Sequence, residues 1–166
     1  MSVFTKTPKE IVGQHQKGSS EIGYASGVFD LLHQGHSKYL SSCRKRCDIL
    51  IVGVDDDALV KKNKGECRPY ETIIKRLEGV WETNLVDEIF IKNSSSEELL
   101  KILQPKKYFI PNNRRLSAPR IQLLEHLSIE LVVISYTEGI STSIIAQQGP
   151  PGDAIQAACP KAPHRE

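Results

Sequence analysis

The sequence has few of the features that mark secreted, membrane-spanning or nucleic-acid-binding proteins. Nowhere do eighteen apolar residues follow one another, and residues 1–20 contain lysines without the apolar core of a secretion signal. The 22 Lys and Arg residues against 20 Asp and Glu residues leave a formal net charge of +2, and long basic runs are absent. We therefore expect a cytoplasmic protein that binds neither membranes nor nucleic acid.

Cysteine is also sparse, with four residues at positions 43, 47, 67 and 159. Without a secretion signal, all four are expected to be reduced thiols. Cys43 and Cys47 are one helical turn apart, but no further ligands accompany them at the spacing of a metal site. We therefore favour structural thiols and assign no metal ligand to the protein itself.

The length of 166 residues allows one domain with a single core. We divide the chain into an N-terminal extension over residues 1–20, a folded domain over 21–147 and a tail over 148–166. The extension is expected to contain a short helix with Pro8 at its first position. The tail combines Gly-Pro-Pro-Gly with small residues and offers too little apolar surface to offset its ordering entropy, so we predict that it is disordered.

Short apolar runs rich in β-branched residues alternate with stretches of helical period, a pattern that predicts an α/β fold built on a parallel sheet. The predicted strands lie at residues 21–26, 48–54, 87–91, 107–110 and 129–134. The predicted helices lie at residues 35–46, 56–63, 72–83, 96–103 and 117–127, with a last helix after Gly139. Ser94 to Ser96 followed by two glutamates is a capping signal for one of these helices.

The segment after the first predicted strand has the composition of an anion site. Gly27 lets the backbone approach a phosphate closely, and His33 and His36 flank Gly35 at the predicted start of a helix. A helix N-terminus offers unpaired N–H groups and a partial positive charge, and imidazoles beside it can donate to phosphate oxygens. A helix cap with one core histidine is the alternative interpretation.

The same segment, Gly27-x-Phe29-Asp30-x-x-His33-x-Gly35-His36, resembles the HxGH signature of the cytidylyltransferase-like nucleotidyltransferases. Further resemblance follows in the family's order, at Asp48–Asp57, Lys64–Pro69, Arg76, Val86-Asp87 and Glu138–Ile145. It implies a Rossmann-like parallel five-stranded sheet with helices on both faces in a single domain. It also implies a homodimer, a nucleoside triphosphate as co-substrate, and Mg²⁺ held mainly through that triphosphate.

The resemblance and the local chemistry together assign site residues. Catalytic roles fall to His33, His36, Lys38 and Arg76. Nucleotide binding is assigned to Gly27, Val28, Phe29, Asp30, Gly35, Lys64, Arg68, Gly139, Ile140, Ser141, Thr142 and Ser143. A hydroxyl run after a glycine at a helix start favours anion binding over a simple cap, and an arginine fork suits phosphate. Lys38 and Lys64 could also be ordinary solvated lysines. Asp30 is expected to orient backbone donors, hold a metal-bound water or cap the following turn.

The acceptor loop departs from the family pattern. Sugar-phosphate and glycerol-phosphate members carry a glycine and an aspartate after the fourth strand, whereas this chain reads Pro111-Asn112-Asn113-Arg114. Asn112, Asn113 and Arg114 are candidate substrate-binding residues, and Arg115 or Arg120 could also hold an acceptor phosphate. A solvent-facing turn is the alternative.

The expected function is the transfer of a nucleoside monophosphate from CTP or ATP to a phosphorylated small molecule, with release of pyrophosphate. The pattern is similar to heptose-phosphate adenylyltransferases and to glycerol-phosphate and phosphoethanolamine cytidylyltransferases, so a sugar or polyol phosphate is favoured. A flavin-mononucleotide adenylyltransferase is one alternative. The altered acceptor loop supports another, a nucleotide-binding regulator without catalytic activity.

Overall fold

A computed structural model describes residues 6–15 and 18–135 of the chain. Five parallel strands form one sheet in the order β3-β2-β1-β4-β5. They are β1 (Ile22–Gly27), β2 (Ile49–Asp55), β3 (Glu88–Lys92), β4 (Lys107–Pro111) and β5 (Glu130–Ile134). The predicted fold class is therefore confirmed, and each predicted strand is present.

Helices connect the strands as the alternating pattern predicts. They are α1 (Pro8–His15), α2 (Gln34–Arg44), α3 (Asp57–Lys64), α4 (Ile73–Glu82), α5 (Ser96–Leu103) and α6 (Ala118–His126). The predicted capping signal is present, because Ser95 and Glu98 form a capping box at the start of α5. The predicted last helix after Gly139 and the tail over 148–166 lie outside the described residues.

Each face of the sheet is covered by helices. On the face that we call the α2 face, Ala25, Val52 and Phe109 pack with residues of α2 and α4. On the opposite face, the α5 face, Tyr24, Ile51 and other strand residues pack with α1, α5 and α6. Alternate residues of a strand point to opposite faces, so both sets of apolar side chains leave water and hold the helices in place.

The N-terminal helix belongs to this packing. Ile11 is fully buried in the cluster on the α5 face. The ends of the helix are tied to β3, since Lys6 and the Nε2 atom of His15 both contact Glu88, at 2.9 and 3.1 Å. Apolar burial and these contacts with Glu88 together fix α1 against the sheet.

Two further expectations concern the oxidation state of the cysteines and the presence of membrane-spanning helices. Cys43 and Cys47 are free thiols as expected, whereas Cys67 is disulfide-bonded, so the expectation of four reduced thiols is wrong at that position. Among the described residues, no helix combines the length and the apolar character needed to cross a bilayer.

Candidate active site at the carboxyl ends of the strands

A cleft of about 430 Å³ opens at the carboxyl ends of β1, β2 and β4. The strand order places β1 between β2 and β4, so the chain switches direction across the sheet at this point. Ligands of open α/β sheets bind in such crevices, and the volume is typical of small-molecule sites. The cleft is lined by Ser26, Gly27, Val28, Phe29, His36, Tyr39, Asp55, Val60, Asn63, Lys64, Pro111, Asn113 and Arg114.

The two histidines form the N-terminal cap of α2. The Nδ1 atom of His33 accepts a hydrogen bond from the Gly35 N–H at 3.0 Å, and the Nδ1 atom of His36 accepts one from the His33 N–H at 3.3 Å. Their rings stack with centroids 4.0 Å apart. Because each Nδ1 is an acceptor, the neutral form of each ring carries its hydrogen on Nε2, which makes Nε2 the donor that each ring offers.

Both imidazoles are neutral at physiological pH. Burial lowers the pKa of His36 to about 4, with a further contribution from His33 and a small one from Lys64, while Asp30 acts in the opposite direction. Burial also lowers the pKa of His33. The pair therefore offers hydrogen bonds and not positive charge, and it does so beside the partial positive charge of a helix N-terminus.

Asp30 organises the loop that follows α3. Its carboxylate accepts hydrogen bonds from Arg68 Nη1 at 2.9 Å, from the Tyr70 N–H at 3.1 Å and from the Glu71 N–H at 3.0 Å. The guanidinium of Arg68 also lies 4.2 Å from the centre of the Tyr70 ring. Of the three roles expected for Asp30, the structure shows the orientation of backbone donors.

The turn between β1 and α2 is locally strained. Phe29 and Leu31 have φ angles of 52° and 49°, in the left-handed region that non-glycine residues rarely adopt. A Cβ atom on Gly27 would lie 3.2 Å from the Phe29 ring, so the glycine makes room for this ring as well as for a ligand. Strain of this kind is found at functional sites, where the surrounding structure holds it.

Arg76 is fully buried and does not line the cleft. It donates from Nε to the Glu71 carbonyl at 3.1 Å, from Nη1 to the Val28 carbonyl at 2.6 Å and from Nη2 to Asp57 Oδ1 at 2.6 Å. It thus joins the β1–α2 turn, the start of α3 and the loop before α4. The geometry is that of a residue that positions the site from behind.

Positive charge enters the cleft along one rim, formed by Lys64 at the end of α3 and Arg114 after β4. Burial lowers the pKa of Lys64, as do the neighbouring charges of Arg68 and Arg114, against the opposing effect of Asp55 and Asp30. Within residues 6–15 and 18–135, neither Lys64 nor Arg114 forms an ion pair. This rim can therefore receive phosphate groups.

The remaining predicted residues fall in three places. Asn113 lines the cleft beside Arg114, whereas the Asn112 N–H donates to the Ile134 carbonyl at 2.9 Å. Lys38 lies on α2 and does not line the cleft. Gly139, Ile140, Ser141, Thr142 and Ser143 lie outside the described residues.

Sequence reasoning did not assign several residues that line the cleft, among them Ser26 and Asp55. Asp55 is buried and forms an ion pair with Lys92 of β3 at 2.7 Å. Asp55 is the last residue of β2 and Lys92 the last residue of β3, and the two residues are direct partners in the strand register. These residues could have been found from the sequence, because they lie at the ends of predicted strands next to the phosphate-binding motif. Among the described residues, no group of three or more His, Cys, Asp or Glu side chains could hold a metal ion.

Comparison with known proteins relates this architecture to one family. A family model described as cytidylyltransferase-like matches residues 24–148. The bifunctional protein HldE of a Nitratiruptor species is 32% identical over 81% of this chain and 28% of its own length. The bifunctional protein HldE of Campylobacter curvus is 38% identical over 54% of this chain and 19% of its own length. The chain thus spans about a fifth to a third of the length of these curated relatives.

Solved structures share the fold. The lipopolysaccharide core biosynthesis protein from Thermoplasma volcanium superposes with a TM-score of 0.65 at 23% identity, over 72% of this chain and all of that protein. The pantoate-beta-alanine ligase from Francisella tularensis superposes with a TM-score of 0.54 at 13% identity, over 81% of this chain and 67% of that one. These likenesses concern the fold alone.

Proposed function

The chain belongs to the cytidylyltransferase-like family, and from this premise we propose that it transfers a nucleoside monophosphate from CTP or ATP to a sugar or polyol phosphate. The supporting observation is the neutral imidazole of His36 at the start of α2, which lines the cleft together with Lys64 and Arg114 and stacks on the imidazole of His33. A site with fixed hydrogen-bond donors and flanking cations suits two phosphorylated substrates. The likeness to HldE proteins favours a sugar phosphate as the acceptor.

The proposed reaction is a direct displacement at the α-phosphorus of the triphosphate. An oxygen of the acceptor phosphate forms the new P–O bond, the bond to the bridging oxygen breaks, and its electron pair leaves with pyrophosphate. An ionised phosphate is already nucleophilic, so the protein needs no general base and forms no covalent intermediate. Its work is to align the two anions and to stabilise the charge of the transition state.

His33 and His36 are the proposed donors to the reacting phosphate. Their Nδ1 atoms are engaged by backbone N–H groups, which fixes both ring orientation and tautomer before substrate binds. Donors held in this way cost no reorganisation during the reaction, the property that makes electrostatic preorganisation effective. Lys64, Arg68 and Arg114 would neutralise the repulsion between the two substrates, and Lys38 would act near the outer phosphates only if its long side chain turns toward the cleft.

The proposed role of Arg76 is to position the turn that carries these donors. It binds the Val28 carbonyl and the loop at Glu71, so it holds together the two segments that Asp30 also connects. A direct phosphate contact would require these hydrogen bonds to break. We therefore propose that Arg76 contributes to catalysis indirectly.

Mg²⁺ and the remaining nucleotide contacts complete the proposal. The donor set of the described cleft fits a metal that arrives on the triphosphate and not a resident one, because Asp55 is paired with Lys92 and Asp30 with Arg68. Bound Mg²⁺ would neutralise phosphate charge. Gly139 to Ser143 are proposed as further phosphate ligands. We also propose a cytoplasmic homodimer without nucleic-acid or membrane partners.

Two alternatives have a specific basis. The Pro111-Asn112-Asn113 loop lacks the expected acidic residue, which favours a nucleotide-binding regulator without transfer activity. A flavin-mononucleotide adenylyltransferase would use the same cleft with a different acceptor. The discriminating experiment measures pyrophosphate release with ATP, CTP, GTP and UTP against a panel that contains heptose 1-phosphate, glycerol 3-phosphate, phosphoethanolamine and flavin mononucleotide.

We expect release only when one triphosphate is paired with one class of acceptor, and the sugar or polyol phosphates to be that class. Release with flavin mononucleotide alone would support the flavin alternative. Nucleotide binding by calorimetry without release for any pair would contradict transfer and support the regulator.

A further inference from the structure

The floor of the cleft lies on the α5 face of the sheet and differs chemically from its rim. We define the cleft floor as Ser26 at the end of β1 and Asp55 at the end of β2, both of which line the cleft and are more than nine-tenths buried. Lys92 supports Asp55 from the neighbouring strand through its 2.7 Å contact with Oδ1. Ser26 pairs with Gly53 in the strand register, so the buried carboxylate of Asp55 lies two residues further along β2 than the buried hydroxyl and on the same face of the sheet.

Three buried hydroxyl groups at or below this floor make no hydrogen bond. They belong to Ser26, Tyr24 and Tyr108, and the described residues provide none of them with a partner. Ser26 and Tyr24 are two residues apart on β1, so both side chains lie on the α5 face of the sheet. A buried hydroxyl without a partner costs free energy, so such a group needs a reason to be kept.

The backbone leaves space for this arrangement. A Cβ atom on Gly53 would lie 3.1 Å from the Tyr24 hydroxyl and 3.4 Å from the Lys92 Cβ atom. Gly53 precedes Asp55 by two residues, so both point to the α5 face. The nearest atom to such a Cβ would belong to the Phe90 ring, at 3.0 Å, so the glycine leaves room for this ring, the Tyr24 hydroxyl and the stem of Lys92 beneath the carboxylate.

The hydrogen-bonding atoms of the floor suit neutral hydroxyl groups better than phosphate. Asp55 accepts only from Lys92 among the described residues, through Oδ1, which leaves its second oxygen able to accept from a ligand. A carboxylate oxygen repels a phosphate but accepts readily from an O–H group. Ser26 can both donate and accept. A carboxylate beside a hydroxyl is a matched set for two adjacent hydroxyl groups, the vicinal diol of a sugar or polyol.

We propose that the cleft floor binds a vicinal diol of the acceptor, with Asp55 accepting from one hydroxyl and Ser26 contacting the next, while the acceptor's phosphate reaches Lys64 and Arg114. The inference rests on the proposed function, and it extends it by naming the residues that choose a polyhydroxylated acceptor. The α2 side of the cleft, with His33 and His36, is left to the triphosphate. The ribose of the nucleotide also carries a vicinal diol, and the experiment below distinguishes binding of that diol from binding of the acceptor.

The test measures binding by calorimetry, in the presence of a triphosphate whose α–β bridge cannot be cleaved. The probes are glucose 1-phosphate and 2-deoxyglucose 1-phosphate, ribose 1-phosphate and 2-deoxyribose 1-phosphate, with phosphoethanolamine as a probe without hydroxyls. We expect the wild-type protein to bind at least one fully hydroxylated member about tenfold more tightly than its deoxy partner, as loss of a charge-assisted hydrogen bond implies.

The variants are Asp55→Asn and Ser26→Ala, with Ser96→Ala as the matched control. Ser96 is as buried as Ser26 but lies on α5 and does not line the cleft. We expect Asp55→Asn and Ser26→Ala to bring the affinities of each hydroxylated and deoxy pair together, with the affinity for the triphosphate unchanged. Ser26→Ala removes a hydroxyl that has no partner among the described residues, so its effect is separable from folding.

Three results would overturn the proposal. They are unchanged discrimination in both variants, wild-type binding of phosphoethanolamine as tight as that of any sugar phosphate, and no binding of any probe. If the variants lose affinity only for the triphosphate, and the wild type binds a 2′-deoxy triphosphate equally weakly, the floor binds the ribose of the nucleotide instead. Because the experiment measures binding and not transfer, the failure of this inference can be distinguished from the failure of the proposed function. Binding without pyrophosphate release contradicts transfer alone, and release with unchanged discrimination contradicts this inference alone.

Discussion

The two sides of the cleft use their polar groups in opposite ways. On the α2 side, the protein itself engages the polar groups: His33 and His36 accept from backbone N–H groups, and Arg76 donates to two carbonyls and a carboxylate. On the α5 side, the hydroxyls of Tyr24 and Ser26 have no partner among the described residues. Two faces of one small sheet thus differ in how far the protein itself fixes the direction of their polar side chains.

The difference separates two tasks. Stabilising a transition state requires donors whose direction is fixed in advance, which is what the backbone contacts to the Nδ1 atoms of His33 and His36 provide. Recognising a neutral substrate requires groups that lack partners until it arrives, and such groups cost about 1–3 kcal/mol each when buried. We infer that the α2 side serves the reaction and the α5 side serves selection, and the predictions below test this division.

The largest effect is expected at Arg76. Its replacement by Met would leave the Val28 and Glu71 carbonyls without their donor and Asp57 without its partner, so we expect the free energy of unfolding to fall by about 3 kcal/mol or more. Urea denaturation measures the change, with Arg115→Met, outside the helices and strands, as the control. Unchanged stability together with weaker triphosphate binding would show that Arg76 contacts phosphate directly.

The next effect is expected at His36, and it concerns rate. His36→Ala should lower kcat for transfer by about a hundredfold or more, because one fixed donor to the reacting phosphate is lost. The protein should remain folded, as judged by a cooperative thermal transition. His126→Ala, on the exposed end of α6, should retain the wild-type kcat. If the two variants have equal kcat values, His36 does not take part in the transfer reaction.

A smaller effect concerns stability at low pH. Burial lowers the pKa of His36 from 6.5 to about 4, so the unfolded chain binds more protons between these values. The stability that depends on a neutral His36 is fully present above about pH 6.5 and is lost as the pH falls toward 4. Between about pH 7 and pH 4.5, we expect the wild type to lose about 1–2 kcal/mol more than His36→Gln, which does not titrate. Parallel stability curves would contradict a buried neutral imidazole.

The smallest effect compares two buried tyrosines, one on each side. Tyr39 donates to the Phe109 carbonyl at 3.1 Å, whereas the Tyr24 hydroxyl has no partner among the described residues. We expect Tyr39→Phe to lower the free energy of unfolding by about 1 kcal/mol, and Tyr24→Phe to raise it by about 1 kcal/mol because a buried hydroxyl without a partner is removed. Equal losses in the two variants would show that the α5 side is as saturated as the α2 side.

The sequence predicted the parts of the molecule that depend on local patterns. Alternating apolar runs and capping residues are local, so the sheet, the helices within residues 6–15 and 18–135, the family and the fold are confirmed. The position of His33, Gly35 and His36 at the start of a helix was predicted for the same reason, since the three residues are neighbours in the chain.

The parts that the sequence did not reveal depend on distant residues. Asp55 and Lys92 meet only because β2 and β3 pair in one register, and the lack of a partner for Tyr24 among the described residues depends on every element that surrounds it. Arg76 could be placed in its helix from the sequence, but whether its guanidinium faces the cleft or the interior is set by the packing of α4.

The most direct test of transfer follows the label of the triphosphate. The protein is incubated with its preferred acceptor and with triphosphate labelled at either the α- or the γ-phosphorus, and the products are separated by chromatography. We predict that the α-label appears in the acceptor product and the γ-label in pyrophosphate. Appearance of the γ-label in the acceptor, or no labelled product from either triphosphate, would contradict nucleotidyl transfer.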